Sequence, residues 1–122
     1  MESLEYVNLD LTVAELDPGI FVVTASGELD VWSAPKLDEQ LQSLVHEAVG
    51  SLIVDLSAVP LIDSVVLGVL VRHSKRLRAA GKELVLVTDD PRTVRVIEIT
   101  GLDHLFQMKP SLAEALNVGG AA

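Results

Sequence analysis

The order of apolar and polar residues predicts a domain that begins with two strands and then alternates helices with strands. Residues 8–13 (NLDLTV) alternate polar and apolar side chains, and residues 20–26 (IFVVTAS) are rich in β-branched residues, which is typical of strands. The turn signal DPG at 17–19 predicts that these two strands form an antiparallel hairpin. The apolar runs LIVDL at 52–56 and ELVLVT at 83–88 are typical of buried strands in a parallel sheet.

Residues suited to helix ends place a first helix between the hairpin and the third strand. Ser33 is predicted to cap this helix, Asp38 and Glu39 lie in its first turn, and Gly50 follows its end. Its apolar residues fall on one face, as a helix packed on a sheet requires: Leu37, Leu41, Leu44, Val45 and Ala48.

Two further helices are indicated by the same chemistry. One follows Asp63, is apolar all round in its first two turns, becomes basic towards its C-terminal half and ends at Gly81. The next has Asp90 as its cap, Pro91 at its first position and Gly101 as its stop.

A short strand near residues 105–108 and a last helix from Ser111, with a capping box to Glu114, complete the chain. Residues 117–122 are expected to fray. The order β-β-α-β-α-β-α-β-α predicts an α/β fold with a mixed, mostly parallel sheet and a leading antiparallel strand. At 122 residues the chain is expected to be a single domain with a core of about residues 10–116.

Composition and charge narrow the function classes. The residues are 49% hydrophobic but only 3% aromatic, and the net charge is −9, which repels phosphate backbones and anionic lipids. There is no cysteine, so disulfides and thiol catalysis are excluded. The acidic N-terminus has no apolar signal region, and the apolar run at 65–71 is too short to span a bilayer. We therefore expect a cytoplasmic protein that binds neither nucleic acid nor membranes.

The stretch PLIDSVVLGVL at 60–70 carries the candidate chemistry. Asp63 and Ser64 stand at the head of an apolar run, where either could cap the first turn of the helix. Alternatively, Ser64 is displayed for modification, because it follows a strand and loop at the carboxyl edge of the sheet, where α/β domains place functional groups. A phosphate on Ser64 would add roughly −1.5 to −2 charges beside Asp63.

Four segments closely resemble the anti-sigma factor antagonists, which are stand-alone STAS domains. They are SGELDVWSAPKL, LIVDLSAVPLIDS, LGVLVRHSKRLRAAGKELVLV and VIEITGLDHLF, in that order and at that spacing, from about Asp10 to about Leu116. The resemblance implies a regulatory binding protein without catalytic residues, metal or cofactor. Its unmodified form would bind a serine kinase that is also an anti-sigma factor, and thereby release a sigma factor that directs transcription. Phosphorylation would end this binding, and a metal-dependent serine phosphatase would reset it.

The resemblance also assigns residues to this switch. It implies that Ser64 is the phosphorylation site and that Asp30 of the GELD segment contributes to kinase docking. We expect the partner-binding surface to comprise these two residues with Asp63, Val65 and Val66. Val65 and Val66 depart from the family pattern, which has a small hydroxyl residue and a glycine at these positions.

Some features allow a second interpretation. Trp32, next to the GELD segment, could be an exposed interaction anchor or a cover over the core. A basic cluster could be a solvated helix face or a docking surface: Arg72, Lys75, Arg76 and Arg78. No metal-ligand spacing relates the three histidines, His46, His73 and His104.

Other function classes remain open at this point. The chain could be a STAS binding module without a phosphorylation cycle, or a subunit of a transport or scaffold complex. A phospho-aspartate receiver is a different class, suggested by acids at the ends of predicted strands, but receivers do not begin with a hairpin. A serine-hydrolase elbow requires glycines where this chain has Ile62 and Val66, so we predict that the protein is not an enzyme.

Overall fold

Five strands form one sheet in a computed structural model that describes residues 8–44, 49–60 and 62–120. In chain order the strands are β1 (Leu9–Asp17), β2 (Ile20–Gly27), β3 (Ser51–Ala58), β4 (Glu83–Val87) and β5 (Gln107–Lys109). They lie side by side in that same order. The β1–β2 pair is antiparallel and the other three pairs are parallel, so the predicted mixed sheet with a leading hairpin is confirmed.

The end of the hairpin fixes where the GELD segment starts. Gly27 is the last residue of β2 and has a φ of 112°, a backbone conformation that residues other than glycine rarely adopt. A Cβ atom at Gly27 would lie 2.2 Å from the carbonyl oxygen of Asn8. The amide of Glu28 donates to that same oxygen at 2.7 Å. Close backbone packing at this corner therefore requires glycine and directs the segment that follows.

Four helices cover the two faces of the sheet. They are α1 (Ala34–Gln42), α2 (Ser64–Ala79), α3 (Pro91–Ile99) and α4 (Leu112–Gly120), with a 3₁₀ turn at Leu102–His104. Helices α1, α2 and α3 share one apolar core with the sheet, to which they contribute residues such as Leu37, Leu70 and Ile97. Helix α4 packs through Ala115 on the other face, against a smaller cluster that includes Ile53 and Val85.

The predicted ends of α1 need correction. Ser33 precedes the helix but makes no side-chain cap, because its hydroxyl donates to the Glu28 carbonyl at 2.6 Å. The helix ends at Gln42 and not near Gly50. Ser43 follows it and donates its hydroxyl to the Gln40 carbonyl at 2.6 Å, a local bond that competes with further helix. Gly50 instead lies directly before β3, and its amide donates to the Gly19 carbonyl at 2.8 Å.

The apolar face predicted for α1 is confirmed where the structure describes it. Leu37 and Leu41 are fully buried, and Leu44 is buried just beyond the helix. Val45 and Ala48 lie outside the described residues.

The predicted ends of α2 and α3 are confirmed. Asp63 and Asp90 cap these helices with their carboxylates, and Gly81 and Gly101 follow them with φ values of 75° and 76°. Residues with positive φ after a helix favour glycine, which explains both stops.

The last two elements differ slightly from the expectation. Strand β5 occupies residues 107–109, later than the predicted 105–108. The Ser111 hydroxyl accepts from the Glu114 amide at 3.3 Å, as one half of the predicted capping box requires. Helix α4 includes residues 117–120, for which we expected fraying.

Helices α1 and α2 are joined by a buried histidine. The His73 side chain is 0% exposed, and its Nε2–H donates to Asp38 Oδ1 at 2.6 Å. Arg72 also donates to Asp38, and Arg76 donates to Gln42, so part of the basic cluster ties α2 to α1. The hydrogen bond from His73, followed by that from Arg72, lowers the pKa of Asp38 below its ordinary value of 3.8. Nδ1 of His73 has no hydrogen-bond partner in the described part of the chain.

This pairing predicts a pH-dependent contribution to stability. Because the pKa of Asp38 is lowered in the folded state, the carboxylate stabilises the fold above the ordinary carboxyl pKa, and this contribution is lost as the pH falls through the folded-state pKa. We expect Asp38→Asn to be less stable than wild type at neutral pH, with the difference shrinking in acid. Urea unfolding at a series of pH values measures this. Glu39→Gln, an exposed neighbour, is the control, and an Asp38→Asn deficit that persists unchanged in acid would contradict the assignment.

Candidate functional site

Two loops meet at the carboxyl edge of the sheet. One loop, residues 28–33, follows β2. The other follows β3, and the structure describes its residues 59–60 and 62–63. Because β2 and β3 are parallel neighbours, both loops leave the sheet at the same edge. A parallel backbone bridge between Leu29 and Ile62 joins the loops beyond the ends of the strands. The bridged side chains are buried, so the loops are anchored to the core at this point.

The bridge brings the predicted site residues together. Asp30 directly follows Leu29 and Asp63 directly follows Ile62, so the bridge joins the two loops one residue before each carboxylate. The sequence predicted a shared edge for these residues, and the structure adds the backbone contact that aligns them.

Asp63 and Ser64 have different roles at the start of α2. Asp63 has extended backbone angles (φ −102°, ψ 179°), and its Oδ1 accepts from the Val66 amide at 3.0 Å. This is the geometry of an N-cap residue, so Asp63 is the cap. Ser64 is the first residue of the helix and is exposed, and no hydrogen bond joins its hydroxyl to any residue that the structure describes. The hydroxyl of Ser64 is thus not needed to start the helix.

The two valines after Ser64 differ in their exposure to solvent. Val65 is 45% exposed, whereas Val66 is 0% exposed and belongs to the core below α1–α3. Val66 therefore does not present its side chain at the surface, and a direct contact between that side chain and a partner is not available. Of the predicted surface, Asp30, Asp63, Ser64 and Val65 remain at least partly exposed.

Asp30 organises its own loop. Its Oδ1 accepts from the amides of Trp32 and Ser33, each at 3.0 Å. Its own amide donates to the Ser33 hydroxyl at 3.0 Å. This side-chain turn satisfies backbone donors ahead of α1, the work that the sequence had assigned to Ser33.

Arg92 is a site residue that sequence reasoning missed. Its Nη2 donates to the Pro60 carbonyl at 3.0 Å and to Asp90 Oδ2 at 3.0 Å, so it ties the start of α3 to the loop before Ser64. Hydrogen bonds from Arg92 also lower the pKa of Asp90. The sequence identified Asp90 as a cap but gave no signal for Pro60, because that contact depends on the adjacency of β3 and β4 in the sheet.

The remaining candidates lie elsewhere. His73 is buried between α1 and α2, His104 lies in the 3₁₀ turn, and His46 is outside the described residues. Within residues 8–44, 49–60 and 62–120, no three side chains of the metal-binding types cluster as an ion would require. None of the described helices is long and apolar enough to cross a membrane. The edge with Ser64 presents an exposed hydroxyl directly after the capping carboxylate of Asp63.

Comparison with known proteins relates this arrangement to one family. Residues 12–115 match the STAS domain family. The anti-sigma-B factor antagonist of Listeria monocytogenes is 35% identical over 103 residues, which is 84% of this chain and 90% of that protein.

Solved structures give the same relation. An anti-sigma factor antagonist from Mycobacterium paratuberculosis superposes with a TM-score of 0.82 at 34% identity, over 90% of this chain and 92% of that one. The phosphorylated form of the Bacillus cell fate determinant SpoIIAA has a TM-score of 0.72 at 18% identity, over 90% and 99% of the two chains, which indicates a shared fold.

The division of roles between Asp63 and Ser64 predicts a contrast in stability. Asp63→Ala removes the cap acceptor of α2 and should lower the free energy of unfolding by about 1 kcal/mol. Ser64→Ala removes an exposed hydroxyl and should change it by less than about 0.5 kcal/mol. Equilibrium urea unfolding of both variants provides the measurement. A larger loss from Ser64→Ala than from Asp63→Ala would show that the serine is the cap.

Proposed function

The chain belongs to the STAS domain family, and from this premise we propose that it is an anti-sigma factor antagonist switched by phosphorylation of Ser64. The observation that carries the proposal is the exposed Ser64 hydroxyl, whose neighbour Asp63 supplies the helix cap in its place. A serine that the fold does not need for capping can be modified without unfolding the helix that displays it.

The proposed partner is a serine kinase that is also an anti-sigma factor. The unmodified chain binds it and releases a sigma factor, and a metal-dependent serine phosphatase restores this form after phosphorylation. In this proposal the protein is a cytoplasmic, non-enzymatic regulator that acts on proteins and not on nucleic acid or membranes. The relatives known as anti-sigma factor antagonists support this role.

Electrostatics supply the switch. A phosphate on Ser64 adds roughly −1.5 to −2 charges directly after Asp63 in the chain. Within the free protein, the N-terminus of α2 partly stabilises this charge. A partner that closes over the site must instead desolvate a dianion beside carboxylates. A hundredfold loss of affinity needs only about 2.7 kcal/mol, which this mechanism can supply.

Val65 favours a second candidate within the same family. Its β-branched side chain is 45% exposed directly after Ser64, where it could hinder a kinase that must reach the serine. The alternative is a STAS binding module, or a subunit of a transport or scaffold complex, that has no phosphorylation cycle. Mass spectrometry of Ser64 in protein recovered from its own cell separates the two candidates.

A phospho-aspartate receiver is not proposed. Receivers have the strand order 2-1-3-4-5 in a parallel sheet. This sheet has the order β1-β2-β3-β4-β5 and begins with an antiparallel hairpin.

The switch predicts that Ser64→Glu weakens binding to the cognate kinase by about tenfold or more while the fold stays intact. The reason is that a first-turn position tolerates an acid, whereas a partner surface over it does not. Isothermal titration calorimetry measures the affinity and circular dichroism the fold. Ser43→Glu, which adds the same charge beyond the far end of α1, should bind normally. Equal affinities of wild type and Ser64→Glu would refute the switch.

A separate prediction tests the charge of Asp30. Asp30→Asn retains an oxygen that can accept from the Trp32 and Ser33 amides, so stability should change little. Asp30→Ala removes this acceptor and should cost about 1 kcal/mol. If the carboxylate also docks the kinase, both variants bind it more weakly. Should Asp30→Asn bind like wild type, the residue acts only on its own loop.

A further inference from the structure

Three exposed apolar residues follow the two bridged positions within three residues, and we call them the apolar patch. It consists of Val31, Trp32 and Val65, which are 52%, 72% and 45% exposed, respectively. Large apolar side chains that are exposed together mark interaction surfaces more reliably than single ones do. Other exposed apolar residues lie apart from this patch, on β1 and on α3, where Ile99 is 71% exposed.

The fold holds this patch in a defined position. The Trp32 amide donates to Asp30 Oδ1, and the next residue, Ser33, is buried. The bridge between Leu29 and Ile62 fixes this loop against the loop that leads to Ser64. Trp32 is not among the side chains that build or cover either apolar core in the described part of the chain. Of its two possible roles, the structure therefore supports an anchor and not a core cover.

We propose that Trp32, supported by Val31 and Val65, is the apolar anchor through which the partner kinase recognises this protein. The proposal rests on the proposed function, since it specifies how the kinase that reads Ser64 is selected. Any protein that encloses the Ser64 hydroxyl must cover Val65, which is the next residue. Val31 and Trp32 follow the bridged Leu29 by two and three positions, and Val65 follows the bridged Ile62 by three, so we expect one partner surface to cover both segments. Tryptophan is one of the side chains enriched at the energetic centres of interfaces.

The charge around the patch indicates what the partner surface contains. Asp30 directly precedes Val31, Asp63 lies two residues before Val65, and the whole chain has a net charge of −9. A complementary surface therefore has an apolar pocket for the indole ring with basic side chains at its rim. A second copy of this chain does not fit this description, because it would bring the same carboxylates against these.

The test compares two exposed apolar residues of this protein. Trp32→Ala should weaken binding to the purified cognate kinase by about 30-fold in isothermal titration calorimetry. Ile99→Ala, on α3 and away from the patch, should leave the affinity within about twofold, because an isolated exposed side chain contributes little. Both variants should unfold at the same urea concentration as wild type, since both side chains are largely exposed.

The single tryptophan of the chain provides an independent measurement. With 5-fluorotryptophan at position 32, the ¹⁹F resonance of the full-length protein should shift on addition of unlabelled kinase. This shift should be absent when the protein carries Ser64→Glu and the kinase is below its weakened dissociation constant. An unchanged resonance in a complex that forms would overturn the anchor.

The remaining outcomes separate this proposal from the proposed function. If wild type binds the kinase, Ser64→Glu weakens binding and Trp32→Ala does not, the anchor is refuted and the switch stands. If wild type does not bind the kinase at all, the proposed function fails and the anchor fails with it. If sedimentation shows that Trp32→Ala instead dissociates a dimer of this chain, the occupant is a second copy and the proposal is overturned.

Discussion

The backbone bridge between Leu29 and Ile62 is the contact on which the arrangement of the site depends. It continues the parallel pairing of β2 and β3 beyond the strands, into two loops that would otherwise diverge. Since both bridged side chains are buried, the core itself sets the relative position of the loops. Asp30, Ser64 and Trp32 can then be presented on one surface without any direct bond between their side chains.

Neighbouring residues with similar chemistry have separate tasks in this site. Asp63 caps α2, so the hydroxyl of Ser64 can remain exposed. Val65 lies at the surface, and Val66 fills the core. Because these roles are separate, a change of the side chain at Ser64 or Val65 leaves both the cap of α2 and its buried face intact. The hydrogen bond from the buried His73 to the partly exposed Asp38 also joins α2 to α1.

The element order and the sheet could be predicted because strong local signals agreed: two hairpin strands around DPG, buried runs at 52–56 and 83–88, and caps at Asp63 and Asp90. The sequence did not predict which of Val65 and Val66 lies at the surface. The first turns of α2 are apolar all round, so the periodicity of apolar residues does not distinguish a buried side from an exposed side. The predicted end of α1 was wrong because a glycine such as Gly50 is as typical of the residue before a strand as of the residue after a helix. The bond from Arg92 to Pro60 is tertiary and has no local signature.

The tight corner at Gly27 has a consequence for genetics. A Cβ there would meet the Asn8 carbonyl at 2.2 Å, so any other residue must push β1 away from the loop that holds Asp30 and Trp32. A screen for mutants that fail to signal would therefore recover changes at Gly27 together with changes in the contact residues themselves. Such alleles would map beside the proposed recognition surface without altering a residue that touches a partner, and suppressors that relax the start of β1 would distinguish them from changes in the surface itself.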